Sequence, residues 1–208
     1  MSKAYRTAEA ILFAMFLTPQ AAWAYHYPLR SEAIRDAYFL GERNNFQTTD
    51  CLLQYVHHFA EPQIGRYLIA EVQIATPYQQ IVLRGQRNTP GDSEVQTETD
   101  LQTQPQKFTV RVQVEWNGAY ADHARRSVVP PDFSNQVSIR VAQQRDIMPS
   151  SATHRAIYSS MGRTSVFVGW LFELQFDPAK ITPAPLRISV KTSDGQVQEA
   201  EFDMAKIQ

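Results

Sequence analysis

Residues Phe108 to Trp116 read Phe-Thr-Val-Arg-Val-Gln-Val-Glu-Trp. Phe108, Val110, Val112, Val114 and Trp116 fall on one side, and Thr109, Arg111, Gln113 and Glu115 on the other. A period of two builds no apolar helix face, but it gives a strand one greasy face and one wet face. β-branched and aromatic residues carry the inward set, as a pleated, half-buried surface prefers. A sheet packed on one side is antiparallel and needs a second layer over its apolar face. The stretch predicts a layered β protein.

Downstream, the same alternation recurs at Val137, Ile139 and Val141, at Val166 through Phe176, and at Leu186, Ile188 and Val190. Ser193-Asp194-Gly195-Gln196 then reads as a hairpin turn, with Val197 to Phe202 returning. Upstream, Leu68, Ala70, Val72 and Ile74 alternate with Ile69, Glu71 and Gln73. The phase slips after Pro77, where Ile81 and Leu83 take the odd positions. A one-residue slip turns every side chain to the opposite face, so a bulge or a change of sheet is expected at Thr76-Pro77, with a tight hairpin as the alternative. Met148 to Gly162 is open between a short helix capped by Ser150 or Ser151 and a strand fragment at Ala156-Ile157-Tyr158. About seven such strands fit an antiparallel β-sandwich of immunoglobulin-like architecture over residues 63–208. The likeness is architectural, because a lone cysteine cannot form the pair that brackets a strand tryptophan.

Ahead of the strands, residues 25–62 read as a helical hairpin. Ser31 can cap a helix whose Ile34, Ala37 and Tyr38 share a face, with Gly41 as its stop. A second helix is expected from Thr49 or Asp50, with Leu52, Val56 and Phe59 as its stripe and Pro62 as its end. The strand around Trp170 carries Phe167 and Leu171 on its second face with Gly169 between them. A strand greasy on both faces is covered on both, so the hairpin is expected to dock there. Residues 86–106 are polar, with only Val95 and Leu101 as sizeable apolar groups. Too little apolar surface to offset ordering entropy predicts a mobile loop.

Lys3 and Arg6, the apolar run Ala10–Leu17, Pro19 and then Ala22-Trp23-Ala24 have the layout of a secretory signal peptide over residues 1–24. The run is shorter than the roughly 20 residues of a spanning helix, so no transmembrane anchor is expected after cleavage. The expected destination is the periplasm or the extracellular space. The chain has 208 residues, 43% of them hydrophobic and 20% charged, with a net charge of −1. Loss of residues 1–24 removes Lys3, Arg6 and Glu9 and makes that charge −2. A near-neutral chain offers no electrostatic reason for a nucleic-acid partner. One cysteine leaves the fold to its core rather than to disulfides.

Tyr120, His123, Arg125, Arg126 and Phe133 form the nominated ligand-binding surface. They lie on a connection with anchors as well as charge, and paired arginines can clamp a carboxylate or phosphate. His57, His58 and Glu61 form the candidate metal set, since His57 and Glu61 would share a helix face. Cys51, Tyr55 and His58 fall at i, i+4, i+7 and would set a thiol beside a base, against the plainer reading of Cys51 as a small buried hydrophobe. There is no Gly-x-Ser-x-Gly, no glycine-rich phosphate loop and no alternating acidic calcium loop. The expected function is an exported non-catalytic domain binding a protein or small-molecule ligand, with no cofactor. A small exported metal-binding protein or hydrolase using His57, His58 and Glu61 is the alternative.

Overall fold

A computed structural model describes residues 25–60, 65–104, 106–118, 132–161 and 164–207. In chain order it places α1 (Ser31–Arg43), α2 (Phe46–Leu53), β1 (Val56–His58), β2 (Tyr67–Ala75), α3 (Pro77–Arg87) and α4 (Glu94–Thr103). Then follow β3 (Phe108–Trp116), β4 (Val137–Ala142), β5 (Ser151–Met161), β6 (Thr164–Phe176), β7 (Leu186–Thr192) and β8 (Val197–Phe202). The chain is mainly β. One antiparallel sheet has the order β1-β2-β3-β6-β5 and the other β4-β7-β8. The expected leader, residues 1–24, lies outside the described residues.

β3 is the central strand of the larger sheet. Phe108, Val110, Val112 and Val114 are wholly buried, and each such side chain contributes about 1.5–3 kcal/mol on leaving water. Leu186, Ile188 and Val190 of β7 and Ala200 and Phe202 of β8 belong to the same core. On the outer face of the larger sheet, Arg111 meets Glu173 at 3.1 Å. The second sheet thus covers the inward face, as the alternation requires.

Several expectations are corrected. The phase change lies inside β2, at a bulge between Ile69 and Glu71, so Tyr67 and Ile69 point inward before it and Val72 and Ile74 after it. Thr76-Pro77 is a helix start instead: Thr76 accepts from the Gln79 N–H at 3.1 Å and Pro77 sits in the first turn. Ile81 therefore belongs to a helix face with Tyr78 and Val82. The expected mobile stretch 86–106 contains α4, capped by Ser93. Arg84 holds it by reaching Asp92 at 2.5 Å and Asp100 at 2.7 Å. Of the stretch Met148 to Gly162, Ser151–Met161 forms β5, the strand alternative, and Gly162 lies outside the described residues.

The helical hairpin is corrected as well. α1 runs past Gly41 to Arg43 and is capped by Asn44, whose φ of 43° is left-handed. Ser31 is its first residue, and the Arg30 cap makes no side-chain bond. α2 starts with an Asn45–Thr48 capping box and stops at Leu53. Val56 to His58 then pair with β2, so the stripe Leu52, Val56, Phe59 is not a helix face. Docking over Phe167 and Leu171 does not occur either. α1 packs on α3, making a second small core of Ile34, Ala37, Tyr38, Tyr78, Ile81 and Val82. A Cβ on Gly41 would run into the Val82 carbonyl, and one on Gly85 into the Tyr38 carbonyl, so glycine on each helix permits this contact. Phe167 instead stacks edge-on with Tyr158 and Trp170.

Candidate ligand cleft

Between the helices and the carboxy-terminal end of the sheets lies a cleft of about 1060 Å³. α1 supplies Asp36, Phe39, Leu40 and Arg43, and α2 supplies Asp50 and Cys51. Tyr55, just before β1, and Val56 and His57, within it, also line the cleft, as does Tyr78 from α3. The opposite wall is Phe202, the last residue of β8, with Asp203, Lys206 and Ile207 after it. That wall is fixed by Met204 and Ile207, both buried, and by Tyr25, whose N–H donates to the Met204 carbonyl at 2.9 Å. The Tyr25 hydroxyl also donates to the Pro178 carbonyl at 3.2 Å, and its ring meets Phe108 edge-on.

The floor of the cleft is uncharged at neutral pH. Burial pushes the Cys51 thiol up, with a Tyr55 hydrogen bond only partly opposing it. Burial also raises Tyr55 far above the ordinary phenol range, as it does Tyr78, next to Cys51 and Asp36. Desolvation disfavours the charged form of each group. The rim is charged. Lys206 holds the Asp203 carboxyl below its usual value from 2.8 Å, and Arg187 pairs with Glu201 at 3.0 Å. Asp36, Asp50 and Arg43 make no salt bridge among the described residues, so the unpaired rim charge is two carboxylates against one guanidinium. The arrangement suits a molecule with an apolar body and a polar, basic end.

The proposed catalytic and metal groupings come apart. Cys51 and Tyr55 are hydrogen-bonded. His58, however, lies in β1 and points at Glu71, 3.4 Å away. Adjacent strand residues face opposite ways, so His57 joins the cleft wall while His58 leaves it. The shared helix face assumed for His57 and Glu61 does not form, and Glu61 lies outside the described residues. Among the described residues, no group of three or more His, Cys, Asp or Glu side chains is placed to hold a metal ion. Of the nominated loop surface, Tyr120, His123, Arg125 and Arg126 lie outside the described residues. Phe133 is 1% exposed and sits in an aromatic cluster with Tyr67, Trp116 and Trp170, at centroid distances of 4.8, 5.1 and 6.4 Å.

No sequence motif marks Asp36, Asp50 or Tyr78 as lining a cleft. The available signal was α1 itself, where Phe39 and Leu40 lie beside the Ile34–Ala37–Tyr38 stripe, and Phe39 remains 40% exposed. Among the described residues no helix is long and apolar enough to cross a membrane. Compared with known protein families the chain matches none, and no curated protein matches it in sequence.

Proposed function

We propose that this chain is an exported, non-catalytic binding domain of immunoglobulin-like architecture, and that a small amphipathic ligand occupies the cleft between α1, α2 and the end of β8. The cleft carries the reading. Its volume of about 1060 Å³ is at the upper end of ordinary ligand pockets, its floor is apolar and neutral, and its rim keeps unpaired carboxylates. Strand order supports the architecture. Taking β2 as the first strand, β2-β3-β6-β5 corresponds to the A-B-E-D sheet of a constant-type immunoglobulin domain and β4-β7-β8 to C-F-G. β1 adds one edge strand, and α3 and α4 fill the connection between the first two strands. The layout of residues 1–24 supports export.

Calorimetric titration with decyltrimethylammonium and with decyl sulfate tests the reading. The cationic amphiphile is expected to bind more tightly, Asp36→Asn to erase the preference, and Phe39→Ser to weaken both probes by about ten-fold, near the value of one lost apolar contact. Equal binding to the wild type and to Phe39→Ser would place the ligand elsewhere and sink the assignment.

A further inference from the structure

We propose that the outer edge of β5 captures an extended segment of a partner protein in which acidic and apolar residues alternate. β5 is the terminal strand of the larger sheet, eleven residues long, and Ser151 to Arg155 are all exposed. An edge strand presents a row of unpaired N–H and C=O groups, and proteins usually blunt it by shortness, proline, lysine or cover. The other edge of this sheet follows that practice, since β1 has only three residues. β8 carries Glu199 and Glu201 on its edge, and β4 folds back through a bridge between Ala142 and Asp146. β5 contains neither proline nor lysine, and its register shift lies at Ile157–Tyr158, past the exposed stretch Ser151 to Arg155.

Beside this edge a cavity of about 230 Å³ opens between the sheets. Its inner wall is Phe172 and Leu174 of β6, Val137 and Ile139 of β4 form its side, and Ala152 and His154 stand at its rim. The His154 ring is held edge-on against Trp170 at 5.0 Å. In strand addition, main-chain hydrogen bonds supply affinity, and pockets for alternate side chains supply selection. One apolar side chain of an added strand would enter this cavity, and its neighbours would face outward.

The outward neighbours meet positive charge. β5 has no acidic residue, and Arg155 makes no salt bridge among the described residues. The nearby Glu173 is already engaged by Arg111 at 3.1 Å. Glu173 lies within reach of the Arg155 charge without forming an ion pair with it, so a carboxylate on the incoming strand would give Arg155 a direct partner across the pair. The period of two places that acid and the buried apolar residue on opposite faces of the same segment.

The test titrates the full-length protein, by NMR, with a short capped peptide alternating Glu with Val around a central Leu. Binding is expected to perturb the amides of Ser151 to Ile157. Arg155→Glu should weaken it by about ten-fold and the same peptide with Lys for Glu should recover it, the size expected from reversing one cross-strand pair. Ala152→Phe, which fills the cavity from its exposed rim, should abolish binding of both peptides. Three results would each overturn the proposal: no binding at all, binding indifferent to Arg155→Glu, or perturbations confined to the cleft around Asp36. So would a concentration-dependent dimer with protected β5 amides and no peptide binding, which gives the edge to a second copy of this chain.

Discussion

Asp194 is the residue through which the two sheets are tied at one end. Its carboxylate sits in the β7–β8 turn, yet its Oδ2 accepts from the Arg66 N–H at 2.8 Å and the Tyr67 N–H at 3.4 Å, where β2 begins. Thr192 Oγ1 donates to Oδ1 at 2.5 Å, and Gln196 Nε2 to Oδ2 at 2.8 Å. Desolvation pushes this carboxyl up, but the donors from Thr192, Gln196 and the two backbone amides outweigh it and hold it below the usual value. A lowered folded-state pKa means that the stabilisation is complete above the unfolded value of about 3.9, and is lost as pH falls through the folded value. Asp194→Asn should therefore cost about 1 kcal/mol at pH 7, a modest figure because the turn faces water. The gap between variant and wild type in urea unfolding should close below about pH 4. A constant gap down to pH 2 would mean that the charge is not what the donors hold. The turn itself was legible as Asp-Gly; its reach across to β2 was not, because 127 and 128 residues separate the partners.

Among the elements, those read correctly have a pattern that settles their own burial. β3, β4 and β7 alternate on a fixed face and bury the face the alternation marks, and β6 does so from Phe172 to Phe176. Nearer its start β6 departs from the marked face, because a register shift against β5 between Ile157 and Tyr158 puts Phe167 inside in place of Val166 and Val168. β1 shows the limit. Val56 and Phe59 fit a helix stripe as well as a strand, and it is the β2 edge, pairing Val56 with Gln73 and His57 with Val72, that decides. α3 is masked by Ile81 and Leu83, which also alternate, although Thr76-Pro77 is a helix-start signal in the sequence. α4 is a different case, since it has no apolar stripe and only Thr97 is buried. Arg84, from the preceding helix, supplies the restraint through Asp92 and Asp100, with hydrogen bonding to Asp92 the main cause of its raised pKa. Arg84→Ala should leave far-ultraviolet β signal unchanged while amide exchange across Glu94 to Thr103 accelerates strongly, and Arg84→Lys should restore only part of the protection, lacking the forked geometry. Exchange in α4 unchanged by Arg84→Ala would show that the helix needs no external tie. The cleft was illegible for a related reason: α1 and the segment after β8 meet across most of the chain, and no local pattern announces such a meeting.

At the scale of the molecule, two cores share one chain, and Cys51 touches both. The larger core is laced by two antiparallel sheets, whereas the smaller is a helix pair with six buried residues, joined to the sheets through β2 and through Tyr55, which accepts a hydrogen bond from Thr76. Local stability follows contact density, so the helix pair is expected to open first. Cys51 is the natural reporter, being the only thiol in the protein and standing in the wall of the cleft. Its pKa is raised by burial, which keeps it protonated and slow to react at neutral pH. In native protein the pH at which disulfide-reagent labelling of Cys51 accelerates should lie above the value near 8.5 of a free cysteine. In rising urea, labelling should speed up before the β dichroism falls, because opening the helix pair exposes the thiol while the sheets persist. An amphiphile seated on Leu40 and Phe202 would cover the same sulfur and delay that first step without moving the second. Coincident labelling and dichroism curves, insensitive to the amphiphile, would instead make the two cores one cooperative unit and leave the cleft without a hinge.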